Sequence, residues 1–229
     1  MQNELVSSPQ PYIGLGDSSN KKGTNTFTKL EGLFGVVKVA AGLRHTVAVD
    51  QEGRAWGWGA GGKGQLGPNA GKMVKAPMTF EISEPVRGAA CGQYFTILTA
   101  ENKITVGHGD NRHGQLDAPS DLALDDQISC GWTHAVSLQN GVVRGWGRNN
   151  YHQLAGIGLG RVKKIVTGSE HCLVLTQENQ VLAWGWNEHG NCGQEGEEDI
   201  KVPTSVKGLE GVTVADIFSG SAHCFAVLE

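Results

Sequence analysis

The sequence predicts an all-β fold, a β-propeller of about five four-stranded antiparallel blades. Three observations lead there. A Gly-x-x-His module followed by a short apolar run recurs along the chain. A second module, an apolar run closed by an aromatic residue and Gly, follows it at a near-constant distance. No segment shows the 3.6-residue period of an amphipathic helix.

The glycine of the first module is Gly42, Gly92, Gly131, Gly168 and Gly220. The residue three places on is His45, His134, His171 or His223, with Phe95 in the second copy. The central glycine of the second module is Gly59, Gly109, Gly147 or Gly185. The separations Gly42 to Gly59, Gly92 to Gly109 and Gly168 to Gly185 are identical, and Gly131 to Gly147 is shorter by a single position. Apolar runs of four to six residues, bounded by Gly, Asn and Asp, are the pattern of short strands. Each repeat of about 40 to 50 residues holds some four of them. One such sheet cannot bury both its faces, so the sheets must stack, and radial stacking gives a propeller.

In chain order, residues 1–16 hold a worn second module, with Gly14 set against Gly67 and Gly193. Residues 17–35 read as an exposed loop leading to a short strand. Residues 36–53 give two strands around the first Gly-x-x-His, closed by a turn at Glu52-Gly53. RAWGWGAGGKGQLG (54–67) is a complete second module, and KITVGHGDNRHGQLD (103–117) is another, with His108 where other copies have Trp. The fullest pair spans Val166 to Gly193. After an acidic loop, Glu195 to Asp199, comes a last Gly-x-x-His strand. The sequence thus runs one strand short of a complete pair, and Glu4 to Val6 are expected to supply it. Pairing them beside the last strand would close the ring and remove an open edge. A single domain over 1–229 is expected.

The 34 glycines among 229 residues, twice the usual ~7 %, serve turns and crowded strands. A formal net charge of -4 argues against a nucleic-acid surface. No apolar run approaches the ~20 residues of a membrane helix, and no secretory signal is visible at Met1. The five cysteines, an odd number scattered over the repeats, read as reduced thiols of a cytoplasmic or nuclear protein.

The histidines recur at one register on different blades, which suits a repeated structural hydrogen bond to a neighbouring backbone group better than catalysis or metal binding. Zinc requires three or four converging ligands, and there is no Cys-x-x-Cys. No phosphate-binding loop precedes a helix and no Ser/His/Asp arrangement stands out, so neither cofactor nor enzymatic activity is expected. Trp58, Trp146 and Trp184 share a strand register and are expected in the core. The informative residues break the repeat. Trp186 stands where other copies have Ala60, Asp110 and Arg148; Trp132 stands where others have Leu43, Gln93, Ser169 and Ser221. Registers that accept such variety are solvent-facing turns, and an exposed Trp among polar residues marks a protein-binding hot spot. Asp110, Asn111, Arg112, Glu188 and His189 occupy equivalent turns and are expected to form its polar rim.

WGWGAGGKGQLG, GDNRHGQLD and CGWTHAVSL resemble the regulator-of-chromosome-condensation repeat family, over residues 5–229. GSEHCLVLTQENQVLAWGWNEHGNCG, with GDNRHGQLD and CGWTHAVSL, resembles its alpha-tubulin-suppressor subgroup. That resemblance implies a heterodimer with a small zinc-ribbon electron carrier. Through it, the subgroup serves diphthamide synthesis on elongation factor 2 and Elongator-dependent modification of wobble uridines in tRNA. The alternative it implies is exchange-factor activity on a small GTPase, although the GTPase-facing residues of the founding member are not matched here. Family propellers have seven blades; five are counted here, each with a similar share of the chain.

Overall fold

The structure, a computed structural model, describes residues 6–7, 28–30, 32–101, 105–122 and 127–229. Every regular element in it is a strand. Contacts divide the chain into two compact units, Met1–Asn111 with Pro119–Leu124, and Arg112–Ala118 with Asp125–Glu229.

In the first unit, β1 (Val6–Ser7) pairs antiparallel with β2 (Thr28–Lys29). A four-stranded sheet follows: β3 (Val36–Ala41), β4 (His45–Asp50), β5 (Ala55–Ala60) and β6 (Met73–Thr79). Next come β7 (Val86–Cys91), β8 (Phe95–Ala100) and β9 (Thr105–Gly109), in a sheet of three. The second unit holds a three-stranded sheet of β10 (Gln127–Cys130), β11 (His134–Gln139) and β12 (Val142–Gly147). Its four-stranded sheet is β13 (Val162–Thr167), β14 (His171–Thr176), β15 (Val181–Gly185) and β16 (Ile200–Ser205). Last come β17 (Val214–Ser219) and β18 (Cys224–Leu228), paired with each other. Within every sheet neighbours in sequence are neighbours in space and run antiparallel, as the repeat predicts.

The sheets differ in the number of strands they hold. Among the described residues, two of the five repeat sheets have four strands. The connectors explain this. The long stretches from Ala60 to Val86 and from Gly185 to Val214 each contain a fourth strand, β6 or β16. The stretch from Gly147 to Val162 is far shorter and returns to β12 only briefly, Val143 N–H donating to the Leu159 carbonyl and Gly158 N–H to that of Val143. Closure of the ring through the amino-terminal strand is not confirmed. Val6–Ser7 pairs with Thr28–Lys29, and no pairing with β18 is present among the described residues; Glu4 and Leu5 lie outside them. A strand of two residues has little register information, so a nearby partner in sequence costs less loop entropy than a distant one. The segment read as an exposed loop also contributes core: Leu30 and Leu33 are buried against Ala48 and Trp58.

The middle strands β4, β8, β11 and β14 are buried on both faces. Their recurring link is the histidine of one sheet reaching the residue that follows the equivalent position in the next. His45 Nε2 lies 3.0 Å from Thr96 Oγ1, His134 Nε2 lies 3.4 Å from Cys172 Sγ, and His171 Nε2 lies 3.1 Å from Cys224 Sγ. The hydroxyl or thiol in turn donates to a carbonyl: Thr96 to Gln65, Cys172 to Gln153, Cys224 to Asn191. With its proton so engaged, each accepts from the imidazole, which places a proton on Nε2, and burial keeps the rings neutral. The partner is therefore a side chain of the next sheet, not the backbone group expected from sequence.

The first-module glycine makes room for the ring. A Cβ on Gly42, Gly131 or Gly168 would lie 2.2, 2.1 or 2.0 Å from Cε1 of its own histidine. Burial lowers the pKa of His45 to about 4, of His134 to about 3 and of His171 to about 4. Trp58, Trp146 and Trp184 are in the core, as expected. The Trp146 and Trp184 indoles donate to the Gln115 and Gln153 carbonyls at 2.9 and 2.7 Å. Truncating Trp184 to alanine should lower stability by about 3–5 kcal/mol, checked by urea unfolding.

Candidate functional site

The second-module glycines end their strands at positive φ: +99° at Gly59, +112° at Gly109, +98° at Gly147 and +105° at Gly185. That conformation turns the next N–H back onto the carbonyl just before the histidine position. Ala60 thus donates to Arg44, Asp110 to Tyr94, Arg148 to Thr133 and Trp186 to Glu170. The residue after the first-module glycine makes the complementary link: Trp132 N–H donates to the Ser169 carbonyl, and Ser169 N–H to the Ser221 carbonyl. Backbone bonds therefore hold Trp132 and Trp186 against one turn, Ser169–Glu170, in the second unit. Both are thus anchored through their backbones to adjacent residues of that turn.

Trp132 keeps 37 % of its surface exposed. Trp186 is half-buried. Its indole N–H donates to Glu188 Oε2 at 3.1 Å, and the His189 ring meets it edge-on at 5.3 Å. Glu188 and His189 are exposed beside it. Asp110 and Asn111 belong to the first unit, at the equivalent turn, and Arg112 is exposed in the second.

The residue that sequence reasoning missed is Glu170. It is the one acid among the five residues preceding the histidine position, the others being Arg44, Tyr94, Thr133 and Ala222; that contrast was the available signal. Its carboxylate is buried, accepting from the Gln153 amide and, at 3.4 Å, from the Thr133 hydroxyl. Burial raises its pKa, opposed by the Gln153 bond and by the charges of Arg148 and His113. Arg148 stacks on Tyr151 at 5.6 Å. The arrangement is two indoles on a turn stiffened from below by a buried carboxylate. It offers aromatic contact area with little conformational freedom left to lose. Among the described residues no three His, Cys, Asp or Glu side chains converge to hold a metal ion, and all five cysteines are free thiols.

Comparison with known proteins fits this architecture. The family described as "Regulator of chromosome condensation (RCC1) repeat" matches residues 52–99 and 178–227, and a second profile of the same description matches 36–65 and 126–153. This chain belongs to the RCC1 repeat family. An RCC1 repeat-containing protein of Schizosaccharomyces pombe is 31 % identical over 199 residues, covering 82 % of this chain and 57 % of that protein. The secretion-regulating guanine nucleotide exchange factor of Bos taurus is 30 % identical over 250 residues, covering 85 % of this chain and 53 % of that one. The RCC1-type propeller of Prp20p from Saccharomyces cerevisiae, described with its binding properties to Gsp1p and histones, superposes with a TM-score of 0.78 at 21 % identity, over 91 % of this chain and 59 % of that one. The likeness shows the fold. The chain spans about half the length of the curated RCC1-repeat relatives it matches.

Proposed function

We propose that this RCC1-repeat chain is a non-catalytic docking module, cytoplasmic or nuclear, whose protein partner seats on the Trp132–Trp186 rim. The observation that supports this is the pair of tryptophans whose backbone N–H groups bond to one turn, at registers where the other copies have no aromatic residue. The fold does not need aromatics there, and rigid aromatics carry binding energy at little entropic cost. The partner suggested by the sequence resemblance is a small zinc-ribbon electron carrier. Docking it would place this protein in diphthamide synthesis on elongation factor 2 and in Elongator-dependent tRNA modification.

Trp186→Ala is expected to weaken that complex by about 2 kcal/mol or more, with Trp132→Ala following. Calorimetric titration of the zinc-ribbon protein against wild type and each variant reads this directly, with melting curves alongside. Equal affinity with a large loss of stability would show that these side chains serve packing instead. The second reading, regulation of a small GTPase, is favoured by the similarity to a secretion-regulating guanine nucleotide exchange factor. Accelerated release of a fluorescent guanine nucleotide from a GTPase would select it, and an unchanged release rate would discard it.

A further inference from the structure

The hairpin that joins β14 to β15 differs from its counterparts. Gly53, Gly141 and Asn179 hold the same place in their hairpins, at φ of +81°, +79° and +66°. The two glycine carbonyls accept directly from the first N–H of the following sheet, at Val86 and Val162. Asn179 reaches the equivalent Val214 with its side chain instead. Its amide oxygen accepts from Val214 N–H and its amide nitrogen donates to the Val214 carbonyl, both at 2.9 Å. A side chain thus stands between this hairpin and the next strand, where the other two sheets have direct backbone contact. The connector beside it is also longer than its counterparts. Phe80, Gly158 and Val206 each donate back to the start of the third strand, at Ala55, Val143 or Val181. From there residues 81–85 or 159–161 lead to the next sheet in two cases, and residues 207–213 in this one.

The spacing and the long connector leave a cleft of about 430 Å³ in the second unit. That lies within the ~300–1,000 Å³ of ligand pockets. Val181, Val206, Leu209 and Val212 wall it, all of them buried or half-buried. Glu178 of the hairpin and Glu210 of the connector are exposed at its mouth. Among the described residues that line it there is no cationic side chain. Glu178 is already paired with Arg161. Glu210 is held by its own turn, Gly208 N–H donating to Oε2 at 2.9 Å, and among the described residues no cation pairs with it. The carboxylate is therefore aimed, with one oxygen left for a ligand. Apolar walls beneath such a group suit an aliphatic stem that ends in a positive charge.

We infer that this cleft binds a lysine or arginine side chain of a partner protein. The stem lies along Val206, Leu209 and Val212, and the charged end meets Glu210. The cleft is at the opposite end of β15 from Trp186, so it is a second contact, independent of the tryptophan turn.

The test uses the full chain and capped peptides Gly-Gly-X-Gly-Gly in which X is arginine, lysine, norleucine or glutamate. The methyl resonances of Val206, Leu209 and Val212 report binding. The arginine and lysine peptides should shift them saturably and bind about fivefold more tightly than the norleucine peptide, whose stem matches that of lysine without the charge. The glutamate peptide should not bind. Added salt should weaken the two cationic peptides and leave the norleucine peptide unaffected. Glu210→Gln keeps an oxygen for Gly208 N–H, so the melting temperature should hold while the preference for charge disappears. Gln180→Trp, at an exposed hairpin position lining the cleft, should block every peptide. Absence of shifts at these methyls, equal affinity for the arginine and norleucine peptides, or an intact preference in Glu210→Gln overturns the inference. So does a concentration-dependent shift of the same methyls without peptide that Glu210→Gln removes, since that gives the cleft to a second copy of this chain.

Discussion

Gly168→Ala is expected to destabilise the protein by about 3 kcal/mol or more, whereas Gly220→Ala should leave stability nearly unchanged. The two glycines hold the same place in the repeat. A methyl group on Gly168 would stand 2.0 Å from Cε1 of His171, with Nε2 and Nδ1 at 2.5 and 2.6 Å. The ring must leave, and it cannot do so without giving up Cys224 Sγ. Overpacking of this kind costs about 1–3 kcal/mol, and a buried polar group deprived of its partner about 1–3 kcal/mol more. At Gly220 there is no ring to displace, so only ordinary surface effects remain. Chemical denaturation of both variants reads the contrast. Adding His171→Ala to Gly168→Ala should recover part of the loss, because the two changes share one clash. Equal effects at the two glycines would show that the ring over Gly168 is not what constrains it.

Cooperative acid unfolding is expected between about pH 6.5 and pH 4. The sign follows from proton binding. His45, His134 and His171 hold pKa values near 4, 3 and 4 when folded, against the usual 6.5. Between those values and 6.5 the unfolded chain binds protons that the folded one refuses, so stability falls as pH drops through that window. A tenfold difference in proton affinity is worth about 1.4 kcal/mol, so each histidine removes on the order of 3 kcal/mol by pH 4. Glu170, with its raised pKa, acts the other way, but it is one group against three. Melting temperature against pH is the measurement. Replacing His134 with glutamine, neutral at every pH, should flatten the lower limb of that curve. A flat curve from pH 7 to 4 in the wild type would contradict buried neutral imidazoles.

Much of this was legible in the sequence because it was written several times. Each sheet received its meander order from the spacing between paired modules. The core positions of Trp58, Trp146 and Trp184 followed from their shared register. What the sequence concealed was what each module touches. The acceptor for His45 is a threonine and those for His134 and His171 are cysteines, so the position reads as variable although its role is constant. The repeat predicts a fourth strand in each sheet, but the shorter connector from Gly147 to Val162 reaches β12 only through the bonds of Val143 to Gly158 and Leu159. Glu170 went unremarked because a lone acid in a turn normally faces water. Only the packing of Gln153 and Thr133 around it makes it a buried carboxylate. Trp132 and Trp186 were found as departures from the repeat. Their common anchor at Ser169–Glu170 required the backbone bonds.

Burial sets when the cysteine thiols can react. Burial pushes the thiols of Cys91 and Cys192 up to about 12 and that of Cys224 to about 11, and holds Cys172 well above the ordinary range. Alkylating reagents attack thiolates, so these sulfurs stay silent at neutral pH until the strand that shelters them opens. Cys91 belongs to the first unit and Cys172, Cys192 and Cys224 to the second. The protein thus carries its own clocks. The order in which the four sulfurs take up a label under native conditions records which unit loosens first, residue by residue, with no probe added to the sequence.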